Sequence, residues 1–400
     1  MHRSSKLEKA IERARQAVLA AQESSGYWRY ELEADCTIPA EYVLMMHYLG
    51  DVDTELQARI AKYLRARRLA DDGWPLYAGG GFDLSCSVKA YYALKLAGDR
   101  SDAPHMAAAR AAILAHGGAA RANVFTRITL ALFGELPWRG VPFMPVELVL
   151  LPRWFPFHLD KVSYWSRTVL VPLLVLCNLR MRARNPQGVS VRELFTKPPE
   201  RERRYFPVRS PLNACFLLAN HIGRLLEPLI PGVLRRRAIR AAESWFIERL
   251  NGTNGLGAIF PAMVNAVEAL DALGYPPDDP RCVAARDALR RLLVDRGDST
   301  YCQPCVSPVW DTALACLALQ EARPGADRDS AAQTTHAIDR AVDWLAKRQI
   351  LDGPADWRTA RPQLAPGGWP FQFENAHYPD LDDTAVVLWM LHQRGDVHDE

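Results

Sequence analysis

The chain has 400 residues, 49% of them apolar and 24% charged, which excludes a disordered polypeptide and allows two domains of ordinary size. Its 49 Lys and Arg against 46 Asp and Glu leave a formal charge of +3, so net balance gives no reason to expect a nucleic-acid partner. Eight scattered cysteines, some inside apolar stretches as at Cys177 and Cys316, read as reduced buried thiols of a cytoplasmic protein, not as a disulfide framework.

From the N-terminus, Met1–Gln16 is charged and amphipathic with no apolar segment, so no secretory signal is read and a short arm to residue 20 is expected. Gln22-x-x-x-Gly26-x-Trp28 follows, the pattern of a helix end, a glycine turn and a tryptophan folding back on the helix. It recurs in looser form at Gly73-Trp74 and at Gln349–Gly353 with Trp357. Chance pairing is the plain alternative, yet tryptophan is rare and each copy follows a helix. Apolar residues at three- and four-residue spacing predict amphipathic helices over Tyr42–Leu49, Val88–Ala97, Met106–Ala115, Val264–Leu273, Thr312–Leu319 and Ala385–Leu391. Gly50, Gly98 and Gly274 stand where left-handed C-caps are expected. Nothing alternates with period two for long, so the class is all-α, with a Pro-rich connection at Pro137–Pro156.

Thr168–Leu179 and Phe216–Asn220 are the longest uncharged apolar runs, shorter than the roughly 20 residues a bilayer-spanning helix needs, so any membrane contact is peripheral or monotopic. Arg180–Arg204, with Pro186, Gly188, Pro198 and Pro199, reads as a solvated loop. Phe216–Leu234, broken by Pro228 and Pro231 and closed by Arg235, Arg236, Arg237 and Arg240, has two readings. One is shallow insertion into a membrane with the arginines at anionic headgroups; the other is a core helix with a solvated end. Cys302-x-x-Cys305 has no second Cys or His pair at metal spacing, and neither a zinc nor a redox role is read from it.

Three helices share one kind of opening. Asp83-Leu-Ser-Cys-Ser-Val-Lys-Ala-Tyr-Tyr-Ala-Leu94 aligns without gaps on Asp380-Leu-Asp-Asp-Thr-Ala-Val-Val-Leu-Trp-Met-Leu391, and Pro308–Leu319 places Asp311 and Thr312 where the latter has Asp383 and Thr384. Polar N-cap chemistry before an apolar helix, repeated, argues for stacked helix pairs in a solenoid or closed toroid.

Asp380-x-Asp382-Asp383 carries the chemistry. Three carboxylates in four residues at a helix start repel one another, so at least one keeps its proton at neutral pH if the site is shielded from water. A protonated Asp is a general acid that needs no metal. Helix capping is the bland reading, and magnesium binding is a further one, though the D-D-x-x-D form is absent. Trp369, Phe371, Phe373 and Tyr378 precede the acids, and aromatic faces stabilise carbocations by about 2 kcal/mol each when desolvated. An acid among π faces is what polyene cyclisation requires.

On Asp380–Val387, Ser307–Thr312, Gly257–Met263, Val162–Ser166 and the Gln-Trp repeats, the whole chain resembles squalene-hopene cyclases. The resemblance implies an α/α-toroid (α6-α6 barrel) fold, with an N-terminal arm over 1–20, a complete first barrel with a membrane-contacting segment over 21–305, and an incomplete second, catalytic barrel from 306. It implies a monotopic enzyme on the cytoplasmic side of a bacterial inner membrane, with squalene or a related polyprenyl chain as substrate, hopene and hopanol as products, and no metal or cofactor. Asp382 is then the proton donor, flanked by Asp380 and Asp383 and oriented by Asp311 beside Trp310. Phe371 stabilises early cations, Trp165, Ile259, Phe260 and Pro261 line the cavity, and Gln372 orders water. In the family the chain continues well past the acid motif, whereas Glu400 stands seventeen residues after Asp383. A separate chain supplying the rest of the second barrel is therefore one expectation, and a non-catalytic lipid-binding remnant is another. An inverting glycosidase on a helical toroid, using Asp311 and one acid of the triplet, is the remaining alternative, which carbohydrate binding would distinguish.

Overall fold

A computed structural model describes residues 5–156, 158–208, 210–322, 328–352 and 356–395. Gly353 and the end of the chain after Gly395 lie outside them. In chain order the elements are α1 (Ser5–Ala20), α2 (Thr37–Leu49), α3 (Thr54–Ala66), α4 (Leu84–Leu96), α5 (Pro104–Ala115), α6 (Val124–Leu132), α7 (Tyr164–Leu179), α8 (Pro211–Leu226), α9 (Gly232–Ile247), α10 (Phe260–Ala272) and α11 (Pro280–Arg290). They continue with β1 (Leu293–Asp295), β2 (Thr300–Cys302), α12 (Pro308–Glu321), α13 (Arg328–Ala346), α14 (Asp356–Ala360) and α15 (Leu381–Arg394). The six predicted helices are present, and Gly50, Gly98 and Gly274 all have positive φ. One antiparallel pair, β1 with β2, interrupts the all-α pattern; its three-residue strands are too short to show a period.

The chain forms two compact units, Leu32–Pro304 and the described parts of Met1–Glu31 with Cys305–Glu400. Residues 21–31, assigned on sequence to the first barrel, thus group with the C-terminal segment.

In the Leu32–Pro304 unit, α2 and α4 are buried almost all round, while α3 and α11 bury one stripe and turn the rest to solvent. That division makes α2 and α4 inner helices and α3 and α11 outer ones. α2 packs on α4, α3 and α10, and α10 on α7, so helices distant in sequence meet and close the unit. The segment Arg180–Arg204 is irregular as expected, but it is not simply solvated: Ala183, Val191, Leu194 and Phe195 are buried anchors and Arg184 pairs with Asp271.

In the other unit, α12, α13 and α15 enclose a core of Trp28, Val309, Cys316, Ala341, Leu345, Trp369, Val387 and Met390. The Gly-Trp repeat explains how these helices are tied. Trp28 donates its indole N–H to the Val18 carbonyl at 2.7 Å and its backbone N–H to Thr312 Oγ1 at 3.0 Å. Trp369 repeats this on Leu345 at 2.8 Å and Thr384 Oγ1 at 3.0 Å. Within the Leu32–Pro304 unit Trp74 does the same with Leu64 and Ser87 Oγ. Gln22 Nε2 reaches the Gly26 carbonyl, and Gln349 Nε2 the Gly367 carbonyl, both at 2.8 Å. The tryptophan belonging to Gln349 is therefore Trp369 and not Trp357, because an inserted loop separates the glutamine from its glycine turn. Gly73 and Gly368 are required by close approach: an added Cβ would lie 3.0 Å from Ser87 Oγ in one case and 2.8 Å from Thr384 Oγ1 in the other.

Candidate active site

The acid triplet opens α15. Asp380 is its N-cap, accepting the Asp382 backbone N–H at 2.9 Å, and its own N–H binds the Trp369 carbonyl at 2.8 Å. Thr384 Oγ1 donates back to the Asp380 carbonyl at 2.6 Å. The tryptophan clasp thus fixes the turn that carries the acids.

The three carboxyls then differ by position. Asp382 projects to the exposed side, whereas Asp383 is 1% exposed and its Oδ1 has no hydrogen-bond partner. Burial, then the charges of Asp380 and Asp382, push Asp383 up to about 8. The sequence expectation that one member keeps its proton falls on Asp383. Asp311, in the first turn of α12, is brought to the same cluster and adds to the upward push. It accepts the Tyr30 backbone N–H at 2.9 Å and lies 3.4 Å from the Ser307 hydroxyl, and burial raises it as well.

The aromatic residues divide by role. Trp369 is buried in the clasp. Phe373 packs edge-on against Tyr27 and Trp344, whose own rings stack at 4.9 Å with Arg348 over Trp344 at 3.6 Å. Trp310, Phe371 and Tyr378 are half-buried. Gln372 is buried, its Oε1 facing Asn375 at 3.4 Å and its Nε2 without a partner, which suits an amide that holds a water.

Trp165, Ile259, Phe260 and Pro261 belong to the Leu32–Pro304 unit. Trp165 lies in the first turn of α7 and Ile259 is the N-cap of α10. Phe260 is fully buried against Tyr42. Pro261 lines a cavity of about 370 Å³ ringed by α2, α4, α6, α7 and α10, with walls that include Ile38, Leu44, Ile128 and Leu173.

That cavity holds polar groups the sequence did not single out. Lys89, its side chain 4% exposed, pairs with Glu41 on the wall. Glu268 lines the same space with no hydrogen bond among the described residues, and burial, then the charges of Glu41 and Asp271, push it up to about 8. The available signal was a lone Glu among apolar residues of α10, which by default reads as a solvated position. Cys302 and Cys305 are unbridged, and among the described residues no group of three or more His, Cys, Asp and Glu is arranged to hold a metal.

In the Phe216–Leu234 stretch α8 buries no residue, with Leu225 77% and Phe216 55% exposed, and Leu229 in the turn after it is 74% exposed, so the core-helix reading does not hold. Among the described residues no helix is long and apolar enough to cross a membrane.

Helix pairs tied by Gly-Trp clasps, with an acid cluster opening one helix, define an all-α toroid-type protein. Residues 11–298 match the Squalene-hopene cyclase N-terminal domain and residues 306–400 the Squalene-hopene cyclase C-terminal domain, and the chain belongs to the squalene-hopene cyclase family, with its α/α-toroid fold. It is 51% identical to a squalene–hopene cyclase of Bradyrhizobium diazoefficiens, over 96% of this chain and 58% of that one. Identity is 47% to a squalene-hopene cyclase of Schizosaccharomyces japonicus, over 97% and 60% of the two chains, and 36% to that of Alicyclobacillus acidocaldarius, over 96% and 59%. The chain spans about 60% of the length of these relatives.

Proposed function

We propose that the chain carries the proton-donating part of a squalene-hopene cyclase-type enzyme acting on squalene or a related polyprenyl chain. The observation that carries this is the buried Asp383, its Oδ1 without a hydrogen-bond partner, held up to about 8 beside Asp380, Asp382 and Asp311. A proton retained by Asp383 at neutral pH is the acid equivalent on which the adjacent carboxyls draw. Asp382, on its exposed side, presents that proton to the terminal alkene; the π electrons form the new C–H bond, leaving a carboxylate and a tertiary carbocation. Remaining double bonds close rings in turn, half-buried Phe371 and Trp310 shield early cations, and loss of a proton or capture of water ends the sequence. Asp311 is a positioning residue, itself held by Tyr30.

Exposed α8 supports peripheral membrane contact, the route by which a water-insoluble polyene would arrive. Exposed Leu314, Leu388 and Trp389 on α12 and α15 support packing against a further polypeptide that continues the second barrel. The test is incubation with squalene in detergent, comparing the chain alone, the chain with a polypeptide matching the remainder of its relatives, and the same pair carrying Asp382→Asn. Pentacyclic products by gas chromatography and mass spectrometry, lost in Asp382→Asn, are expected. Their absence from folded samples would leave a non-catalytic lipid-binding chain.

A further inference from the structure

The segment Pro211–Ile247 holds five arginines and two glutamates, a surplus equal to the +3 of the whole chain. Two of the arginines are committed. Arg235 pairs with Glu147 at 3.0 Å, and Arg224 donates to the carbonyls of Trp138 and Val141. Glu227 in turn is occupied by Arg180 at 2.6 Å. Arg236, Arg237 and Arg240 are exposed and make no ion pair among the described residues. They follow directly on the apolar surface: Leu225, Leu226 and Leu229 end α8 and the turn after it, and exposed Val233 and Leu234 open α9. At 1.5 Å per residue, Arg237 and Arg240 stand about 5 and 9 Å further along α9 than Leu234. That is the offset between the acyl boundary and the phosphates of a lipid leaflet.

We propose that Arg236, Arg237 and Arg240 make the α8–α9 segment selective for anionic phospholipid headgroups, so that it docks on negatively charged bilayers in preference to zwitterionic ones. This rests on the membrane contact proposed above. The hydrocarbon of α8 supplies affinity for any bilayer. The arginines, whose guanidinium forks match phosphate oxygens, supply the discrimination. Each basic residue near such a surface is worth about fivefold in binding, so three give roughly 100-fold at low salt, fading as the Debye length shrinks. A protein partner would be recognised by shape and would show no dependence on lipid charge.

Cys215 lies on α8 and is the one exposed cysteine of the eight, so an environment-sensitive fluorophore can be placed there, with Cys305→Ser removing the next most accessible thiol. The labelled 400-residue chain is titrated with phosphatidylcholine vesicles and with vesicles that also contain phosphatidylglycerol. Binding to both is expected, about 100-fold tighter to the anionic set at low salt and converging at high salt. Arg236→Gln/Arg237→Gln/Arg240→Gln should erase the difference and leave phosphatidylcholine binding intact, whereas Phe216→Asp/Leu225→Asp should weaken both. Equal affinity of the unsubstituted chain for the two vesicles overturns the selectivity and leaves the membrane contact standing. No binding to either vesicle, with helical circular dichroism retained, overturns both.

Discussion

A carboxyl that keeps its proton inside a folded chain destabilises that fold wherever solution pH would ionise it. Asp383 and Glu268 are both such groups, each pushed up to about 8. Since the folded state binds their protons more tightly than the unfolded state, their contribution is most favourable below the ordinary carboxylate range, near pH 4. It is lost progressively as pH rises through about 8. Asp383→Asn mimics the protonated side chain and removes that slope. Urea unfolding should find this variant more stable than the unsubstituted chain by on the order of 5 kcal/mol at pH 9, and close to it near pH 4. Glu268→Gln should behave alike, and because the two groups sit in different units the gains should add. A variant no more stable at pH 9 would mean that the carboxyl is ionised in the fold. Lys89 behaves oppositely: it is the buried partner of Glu41, and Lys89→Met should cost roughly 3 kcal/mol at neutral pH by leaving that carboxylate uncompensated.

At the scale of elements, the clasp is the repeated part, with a hydroxyl one turn into a helix accepting the backbone N–H of a tryptophan in all three copies. Thr384→Val, Thr312→Val and Ser87→Ala each strand a buried N–H and should cost about 1–3 kcal/mol in denaturant unfolding. Trp357→Phe should cost far less, since the Trp357 indole N–H has no partner to lose. A large loss at Trp357 and none at Thr384 would reverse the assignment of the third clasp. The hydroxyl column was legible in the sequence: the gapless match of Asp83 onto Asp380 puts Ser87 and Thr384 in one frame, and Pro308–Leu319 adds Thr312. The acids were legible too, because their crowding is local. The partner of Gln349 was not, since Trp28 follows Gln22 by six residues while Trp369 follows Gln349 by twenty, and a spacing template cannot anticipate an inserted loop. Nor was the exposure of α8, whose apolar pattern is the same whether tertiary neighbours cover it or leave it bare. Which of three adjacent carboxyls holds the proton likewise depends on which one α15 turns inward, a matter of packing that sequence spacing leaves open.

For the molecule as a whole, the decisive surface is the one carried by α12 and α15. Leu381 is 83% exposed, and Leu314, Leu388 and Trp389 are also bared, on the helices that carry Asp311 and Asp383, whose upward shifts come first from burial. Bared apolar side chains on helices of a repeat architecture are the kind of surface that a neighbouring helix covers. The curated relatives have about 40% of their own length outside what the chain matches, and the packing proposed above takes a polypeptide of that kind as the occupant. Adding such a polypeptide in trans should reduce binding of an apolar dye and blue-shift a tryptophan signal that Trp389→Phe removes. It should also raise the apparent acid limb of Asp383 further, because water leaves the site. Leu388→Asp/Trp389→Ser should prevent all three changes while leaving the helical signal of the isolated chain unaltered. If the polypeptide binds equally well to that double variant, it docks elsewhere, and the proposed protonation would then take place on a face open to solvent. An alkene cation formed there would be captured by water before a second ring could close.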